Sequence, residues 1–359
     1  MLNPLGGDYK MSLKDEFDLL GAMIDDAEHQ AALYHPGPYW AEKSRSAIKE
    51  IKKYGISDFR GSTNLIGMSY ADNICTDARN SYNQGLRKFA NYLAKAFPVS
   101  KIFASQVQLT SVHANNSIQL AQEVAKLKIK YCSIFEKYSI PYSLLGGCLT
   151  KAEINGSYYS THYLNLLDQH DKIASRINFS KVHTLFEIGG GFGANVHLLL
   201  HNYKNIKKVL YLDIPPNLYV GTQYLKSFYG NAVIDYKTSK NMSLIGFKDD
   251  DSLEIYCIAP WQIEQFAGSI DVFINSHSFV EMPEIVVQNY ARKFSNFYGS
   301  DESAIALTSY DCFNLDSTFQ PSLLTSFFSA RDFEHFEAET FFNSTSKNLY
   351  YVSPGNFSR

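Results

Sequence analysis

Leu185-Phe-Glu-Ile-Gly-Gly-Gly-Phe-Gly-Ala-Asn195 decides the fold. An apolar run carries an acid near its end, opens into a cluster of glycines and gives way to a second apolar pattern of different period. Residues 182–188 have the β-branched and aromatic bias of a buried strand, whereas Val196, Leu199, Leu200 and Tyr203 recur at helical spacing. The glycines therefore fall at a strand-to-helix turn. There they permit positive φ and close approach of backbone to a ligand, and the free amides of the helix start attract a carboxylate or a phosphate. The stretch reads as a nucleotide-cofactor loop.

Three kinds of loop share this outline, and the neighbouring residues separate them. The phosphate loop of NTPases is excluded, because no Lys-Ser/Thr follows the last glycine. Gly189-x-Gly191-x-x-Ala194 fits the dinucleotide fingerprint, so the glycines alone leave a nicotinamide oxidoreductase open. Glu187 argues against it, since a carboxylate just before the turn repels a pyrophosphate and suits the positively charged amine of an amino-acid moiety. Gly193 adds the third glycine of Glu-x-Gly-x-Gly-x-Gly, which resembles the first motif of class I S-adenosyl-L-methionine (SAM) methyltransferases. Lys208-Val-Leu-Tyr-Leu-Asp213 is a second buried strand that also ends in a carboxylate, and Asp213 is placed to chelate two ribose hydroxyls, a role common to SAM and NAD enzymes. An ordinary turn of an α/β sheet is the bland alternative for Gly189 to Gly193.

The chain of 359 residues is long enough for one large domain and a smaller one. Its net charge is −3 with lysines and arginines scattered, which argues for neither nucleic acid nor an anionic membrane as partner. Cysteines 75, 132, 148, 257 and 312 form no Cys-x-x-Cys pair and are odd in number, which suggests reduced thiols and a cytoplasmic location. The first residues show no basic segment followed by an apolar run, so no signal peptide or membrane span is expected.

The pattern changes near residue 140. Residues 1–140 read as a helical N-terminal region that caps the substrate, and 141–359 as a SAM-binding Rossmann-like domain. Ser12 with Asp15 gives a capping-box-like start to a stripe of Phe17, Leu20, Ile24, Ala27 and Ala31. Further helices are expected over 86–97 and 120–134. Strands are expected at 182–188, 207–213, 253–258, 270–275 and 303–309, with helices near 194–203, 217–229 and 283–296. This alternation predicts an α/β fold with a doubly wound, mostly parallel, seven-stranded sheet. Cofactors bind such sheets beyond the carboxyl ends of the strands, at the switch point of strand order. Glu187, Gly189, Gly191, Gly193, Asp213 with Ile214, Ala259-Pro-Trp261 and Asn275-Ser-His-Ser278 all follow strands and should converge there. Trp261 suits a wall for the adenine and equally suits a half-buried structural role.

Asp213-Ile-Pro-Pro-Asn-Leu-Tyr-Val220 followed by Gln223-Tyr-Leu225, and Asn275-Ser-His-Ser-Phe-Val-Glu-Met282, resemble signature segments of the bacterial sugar O-methyltransferase family. Pro38-Tyr-Trp40 and Gly55-Ile-Ser-Asp-Phe-Arg60 are similar to its N-terminal region. The resemblance implies SAM as cofactor and a sugar or glycan-precursor hydroxyl as methyl acceptor. A non-sugar hydroxyl or amine, or a SAM-binding protein without turnover, stays open, as does homo-oligomerisation. Methyl transfer to a hydroxyl depends on positioning, for about 7–11 kcal/mol of the barrier, and on a base that takes the proton. His277 is the candidate base and equally suits a hydrogen-bonded structural role, Glu281 four residues on orients it or caps the helix starting at Pro283, and Asp311 is a reserve base. A metal-assisted mechanism with Asp311, Glu281 and His277 as oxygen and nitrogen ligands is a further alternative, but their spacing forms no recognisable metal motif and no metal is assigned. The Phe-rich stretch 313–342, with Phe319, Phe327, Phe328, Phe333, Phe336, Phe341 and Phe342, lines the acceptor site or fills the core. Tyr158-Tyr-Ser-Thr-His162 is placed before the first motif, within reach of the cofactor's methionine end.

Overall fold

The computed structural model describes residues 12–60, 133–148, 151–297, 303–310, 321–328, 331–340 and 343–355. Helices α1 (Phe17–Ala27) and α2 (Pro38–Tyr54) come first, then a hairpin of β1 (Lys151–Ile154) and β2 (Ser157–Ser160), and α3 (Thr161–Ala174). The α/β part follows as β3 (Thr184–Ile188), α4 (Ala194–Asn202), β4 (Lys208–Leu212), α5 (Pro215–Tyr229), β5 (Val233–Ile234), α6 (Tyr236–Ser239), β6 (Glu254–Ile258), β7 (Val272–Ser276), α7 (Glu284–Phe297) and β8 (Ala304–Tyr310). Strands β9 (Glu334–Thr340) and β10 (Asn343–Ser353) close the chain. The helix expected over 86–97 and most of that over 120–134 lie outside the described residues.

The central sheet runs β5-β6-β4-β3-β7-β8-β10-β9. Strands β3 to β8 are parallel, and β10 lies antiparallel between β8 and β9. Eight strands replace the expected seven, because the two-residue β5 pairs with β6 at one edge. Strand order reverses at β3, with β4 on one side and β7 on the other, so the ends of β3 and β7 flank the switch point.

Both faces of the sheet are covered, and the alternation is strict. Leu185, Val209, Tyr211, Ile255, Cys257, Val272 and Ile274 pack with α1 to α5 on one face, whereas Phe186, Leu210, Leu212, Ile258, Phe273 and Leu307 pack with α7 on the other. Leu19, Leu20, Met23, Ile51 and Phe59 belong to the first core, so the described N-terminal helices are continuous with the sheet's packing.

The start of α1 departs from the expected capping box. Glu16 is the N-cap and its side chain caps nothing, while Asp15 accepts from the Ile56 amide (3.1 Å) and the Tyr219 hydroxyl (3.3 Å). Tertiary partners have captured the carboxylate that local spacing assigned to the helix. The buried stripe shifts accordingly to Leu19, Leu20 and Met23, leaving Phe17 47% exposed.

Asp271 fixes the register at the opposite end of the strands. Its Oδ2 accepts from the amides of His183 (2.7 Å) and Thr184 (2.8 Å), and its own amide donates to the Thr184 hydroxyl (2.7 Å). Hydrogen bonds to a charged group each contribute about 1.5–3 kcal/mol. Asp271→Ala is expected to destabilise the fold by about 2 kcal/mol, read as a lower urea midpoint at unchanged m-value; an unchanged midpoint contradicts this role.

Candidate active site

The glycine turn is built around one buried acid. Glu187 is 1% exposed at the end of β3. Its Oε1 accepts from Asn195 Nδ2 on α4 (2.7 Å), whereas its Oε2 is buried with no hydrogen-bond partner. Burial pushes its pKa up to about 7, with the Asn195 bond opposing. A Cβ at Gly190 would lie 2.4 Å from that bare oxygen, so the turn passes over the carboxyl only because position 190 has no side chain. Gly189 (φ 71°), Gly191 (φ 62°) and Gly193 (φ 81°) all adopt the left-handed region. A Cβ at Gly189 would strike Ser278 Oγ at 2.2 Å, while one at Gly191 meets nothing within 4 Å. The turn is thus sealed on its inner side and open at Gly191.

Asp213 lies beside it. Its Oδ2 accepts from the Gly191 amide (2.8 Å) and its Oδ1 from the Ile214 amide (2.7 Å), which joins the two strand ends. Burial pushes its pKa up to about 7 against the bonds from Ile214, Gly191 and Asn217, and the Glu187 carboxylate raises it further. Each carboxylate oxygen has a second lone pair, so these bonds leave acceptor capacity for a ligand hydroxyl. Trp261 is half-buried, and its indole donates to the Tyr236 hydroxyl (3.2 Å) with the two rings edge to face.

Asn275 lies near the end of β7, paired with Ile188 of β3. Its Nδ2 donates to the Ile188 carbonyl (3.0 Å) and Ser278 Oγ (2.6 Å), and its Oδ1 accepts from the Phe279 amide (3.1 Å). It ties β7 to β3 across the switch point, which makes it a brace for the glycine turn.

His277 follows Ser276 in the left-handed region (φ 68°), costly for a non-glycine residue and common at functional sites. Its amide donates to the Thr308 carbonyl (2.8 Å), its ring stacks on Tyr310 at 4.2 Å, and its Nε2 lies 3.1 Å from Asn348 Oδ1. Burial lowers its pKa to about 4, with the Asn348 bond opposing, so the imidazole is neutral at pH 7. Glu281 does not orient it. The Glu281 carboxylate accepts instead from the Trp40 indole of α2 (2.9 Å), and burial pushes its pKa up to about 7, opposed by that bond and by Lys43. Helix α7 begins at Glu284, so Glu281 does not cap it either. The nearer partner was invisible in sequence, since Trp40 lies 241 positions away. His277 stacks on Tyr310, Trp40 bonds Glu281 and meets Tyr39 edge to face, and Glu281 and Tyr39 raise the Tyr310 pKa after burial does, which links the two groups.

Asp311 lies outside the described residues, as do Phe313, Phe319 and the side chains of Phe341 and Phe342. Phe328 packs on Phe273 and Phe294, and Phe336 stacks on Tyr350, which places these two in the packing of the sheet. The His162 ring lies 5.2 Å from Phe192 in the glycine turn, while Tyr158 is 53% exposed. Among the described residues no three His, Cys, Asp or Glu side chains gather as a metal site, and no helix is long and apolar enough to cross a membrane.

The sequence matches no protein-family profile and no curated protein. Solved structures with a similar fold include the magnesium protoporphyrin IX methyltransferase of Synechocystis PCC 6803 with bound SAM, at 12% identity, over 54% of this chain and 79% of that one, with a TM-score of 0.35. Human N-acetylserotonin methyltransferase in complex with SAM is similar at 11% identity, over 55% and 54%, with a TM-score of 0.36. The spermidine synthase of Thermotoga maritima is similar at 14% identity, over 51% and 57%, with a TM-score of 0.32. Likenesses this distant carry no argument about chemistry, and the α/β class with its mostly parallel sheet stands on the strand order itself.

The buried groups make stability depend on pH. Glu187, Asp213 and Glu281 have folded pKa values raised to about 7 from unfolded values of about 4. Their contribution is full below about pH 4 and is lost as pH rises through 7. His277 and His170, lowered to about 4, and His197, lowered to about 3, behave oppositely and contribute fully above about pH 6.5. Between pH 6.5 and 8 these acids therefore dominate, and the Tm of the ligand-free protein is expected to fall. Glu187→Gln should flatten that slope; a wild-type Tm that rises over this interval contradicts the assignment.

Proposed function

We propose that the protein is a SAM-dependent O-methyltransferase whose acceptor is a hydroxyl of a sugar or glycan precursor. The observation that carries the reading is the bare Oε2 of Glu187, a buried carboxylate oxygen at the switch point of a doubly wound sheet, beneath a glycine turn bound to Asp213. A buried acceptor without a partner costs about 1–3 kcal/mol, and more when charged, which a cationic ligand group would relieve. The α-ammonium of a methionine moiety fits that need, and a pyrophosphate does not.

In this reading Glu187 receives the ammonium, Asp213 the ribose hydroxyls, and the open side of Gly191 admits the close approach of the ligand. Ile214 and Trp261, following β4 and β6, stand where an adenine would lie, and Asn275 keeps the turn in shape. SAM, when bound, supplies a sulfonium methyl group whose positive charge disappears as the new bond to oxygen forms. His277 takes the proton that the acceptor hydroxyl gives up, and its neutrality at pH 7 leaves a lone pair free for this. A pKa near 4 also makes the imidazole a weak base, so proton transfer follows bond formation. Trp40 brings an aromatic ring to this part of the site, and Glu281, bonded to its indole, brings a hydroxyl acceptor beside it. The sugar acceptor draws further support from the sequence segments at 213–225 and 275–282.

S-adenosylhomocysteine and NADH distinguish the two cofactor readings in a thermal-shift titration. At a hundred times its dissociation constant a ligand stabilises by about 2.7 kcal/mol. Stabilisation by the homocysteine nucleoside alone is expected, weakened in Asp213→Ala and in Gly191→Ala; stabilisation by NADH alone contradicts the reading. With labelled SAM and a panel of sugar nucleotides, His277→Ala should lower kcat by about 10²–10⁴-fold, and an unchanged kcat removes His277 as base.

A further inference from the structure

Asn348 has no part in the reaction as read so far, yet it is the residue on which the His277 side chain depends. It is 2% exposed, on β10, directly opposite Tyr310 of β8 in the antiparallel pair. The pair forms a two-residue platform: Tyr310 stacks against the imidazole at 4.2 Å, and Asn348 Oδ1 meets Nε2 at 3.1 Å. The Asn348 carbonyl oxygen faces the ring, and its amide nitrogen turns the other way, 3.5 Å from the Tyr350 hydroxyl. A carbonyl oxygen can only accept, so Nε2 must carry the hydrogen. In a neutral imidazole the lone pair is then confined to Nδ1, which makes no hydrogen bond among the described residues.

We propose that Asn348 is a positioning residue that holds His277 as the Nε2–H tautomer and so presents Nδ1 as the proton-accepting atom of the site. This rests on the reading of His277 as the base. The backbone supports the same arrangement, since the strained φ of 68° at His277 is held by the hydrogen bond its amide donates to the Thr308 carbonyl on β8, next to the platform. The constraint acts on tautomer and ring plane together. An imidazole free to rotate would offer either nitrogen and lose the alignment that proton transfer needs.

The titratable groups around the ring are Tyr310 stacked on it, Tyr350 behind Asn348, and Glu281 and Tyr39, which act on Tyr310. The phenols stay protonated at neutral pH, because burial raises both Tyr310 and Tyr350. Glu281 is the group that changes charge near pH 7, so its titration is followed alongside that of His277.

The test is a long-range nitrogen–proton NMR correlation on the protein labelled with ¹⁵N-histidine, in which the His277 signals are those lost in His277→Gln. The expected wild-type spectrum has a protonated Nε2 and a pyridine-like Nδ1 from pH 6 to 8. Asn348→Ala should give a mixture of tautomers, and the isosteric Asn348→Asp should raise the titration midpoint of His277 by about 1–3 pH units. An Nδ1–H tautomer in the wild type overturns the proposal, as does an Asn348→Ala spectrum identical to it. The wild-type tautomer is read without either Asn348 variant having to fold, and it stands whether or not His277 is the base. Full methyl transfer by His277→Ala would remove the base assignment and leave the tautomer result standing.

Discussion

A carboxylate buried at the end of β3 with one oxygen unpaired is the constraint around which the site is organised. Taking an acid out of water is costly, and Asn195 compensates only one oxygen of Glu187. The surrounding residues are shaped by its presence. Gly190 must lack a side chain to pass over it, and the Tyr211 ring lies against the same glycine. The Tyr211 hydroxyl in turn donates to the Gly191 carbonyl and fills space left by Gly221 on α5, where a Cβ would come within 2.2 Å of it. Acid, turn, aromatic ring and helix therefore form one unit, and a change at any of them moves the others.

The half of the site proposed to hold the cofactor was legible in sequence because it is local. Glu187, the glycines and Asp213 lie at the ends of two consecutive buried strands, and period, glycine spacing and strand-terminal acids are all short-range signals. The half proposed to hold the acceptor was legible only in part. His277 stands out as a polar residue after a buried strand, but its partner Asn348 lies 71 positions away on β10, a strand with no expectation attached to it. Trp40 and Glu281 meet through the packing of α2 near the end of β7, and no window of sequence contains both. The same physics displaced the capping box at Ser12 and Asp15, since a tyrosine on α5 and an amide after α2 are better partners for Asp15 than the first turn of its own helix.

The acids and the histidine of the site respond to burial in opposite ways. Burial drives the carboxyls of Glu187, Asp213 and Glu281 toward protonation and keeps the imidazole of His277 from it. In the proposed reading Glu187 responds near pH 7 to an arriving cation, while His277 keeps a lone pair whose direction the β8–β10 platform sets. Desolvation is the shared cause, and the contrasting results follow from which form of each group carries charge.

The central claim is that Glu187 awaits a cationic group, and proton-linked calorimetry tests it most directly. An ammonium placed against a carboxyl whose pKa is near 7 favours its ionised form, so binding must release protons at pH 7. Titration of S-adenosylhomocysteine should be more exothermic in Tris, which takes up protons with release of heat, than in phosphate, and Glu187→Gln should shrink the difference. Equal heats in the two buffers for the wild type, or proton uptake on binding, would contradict the account.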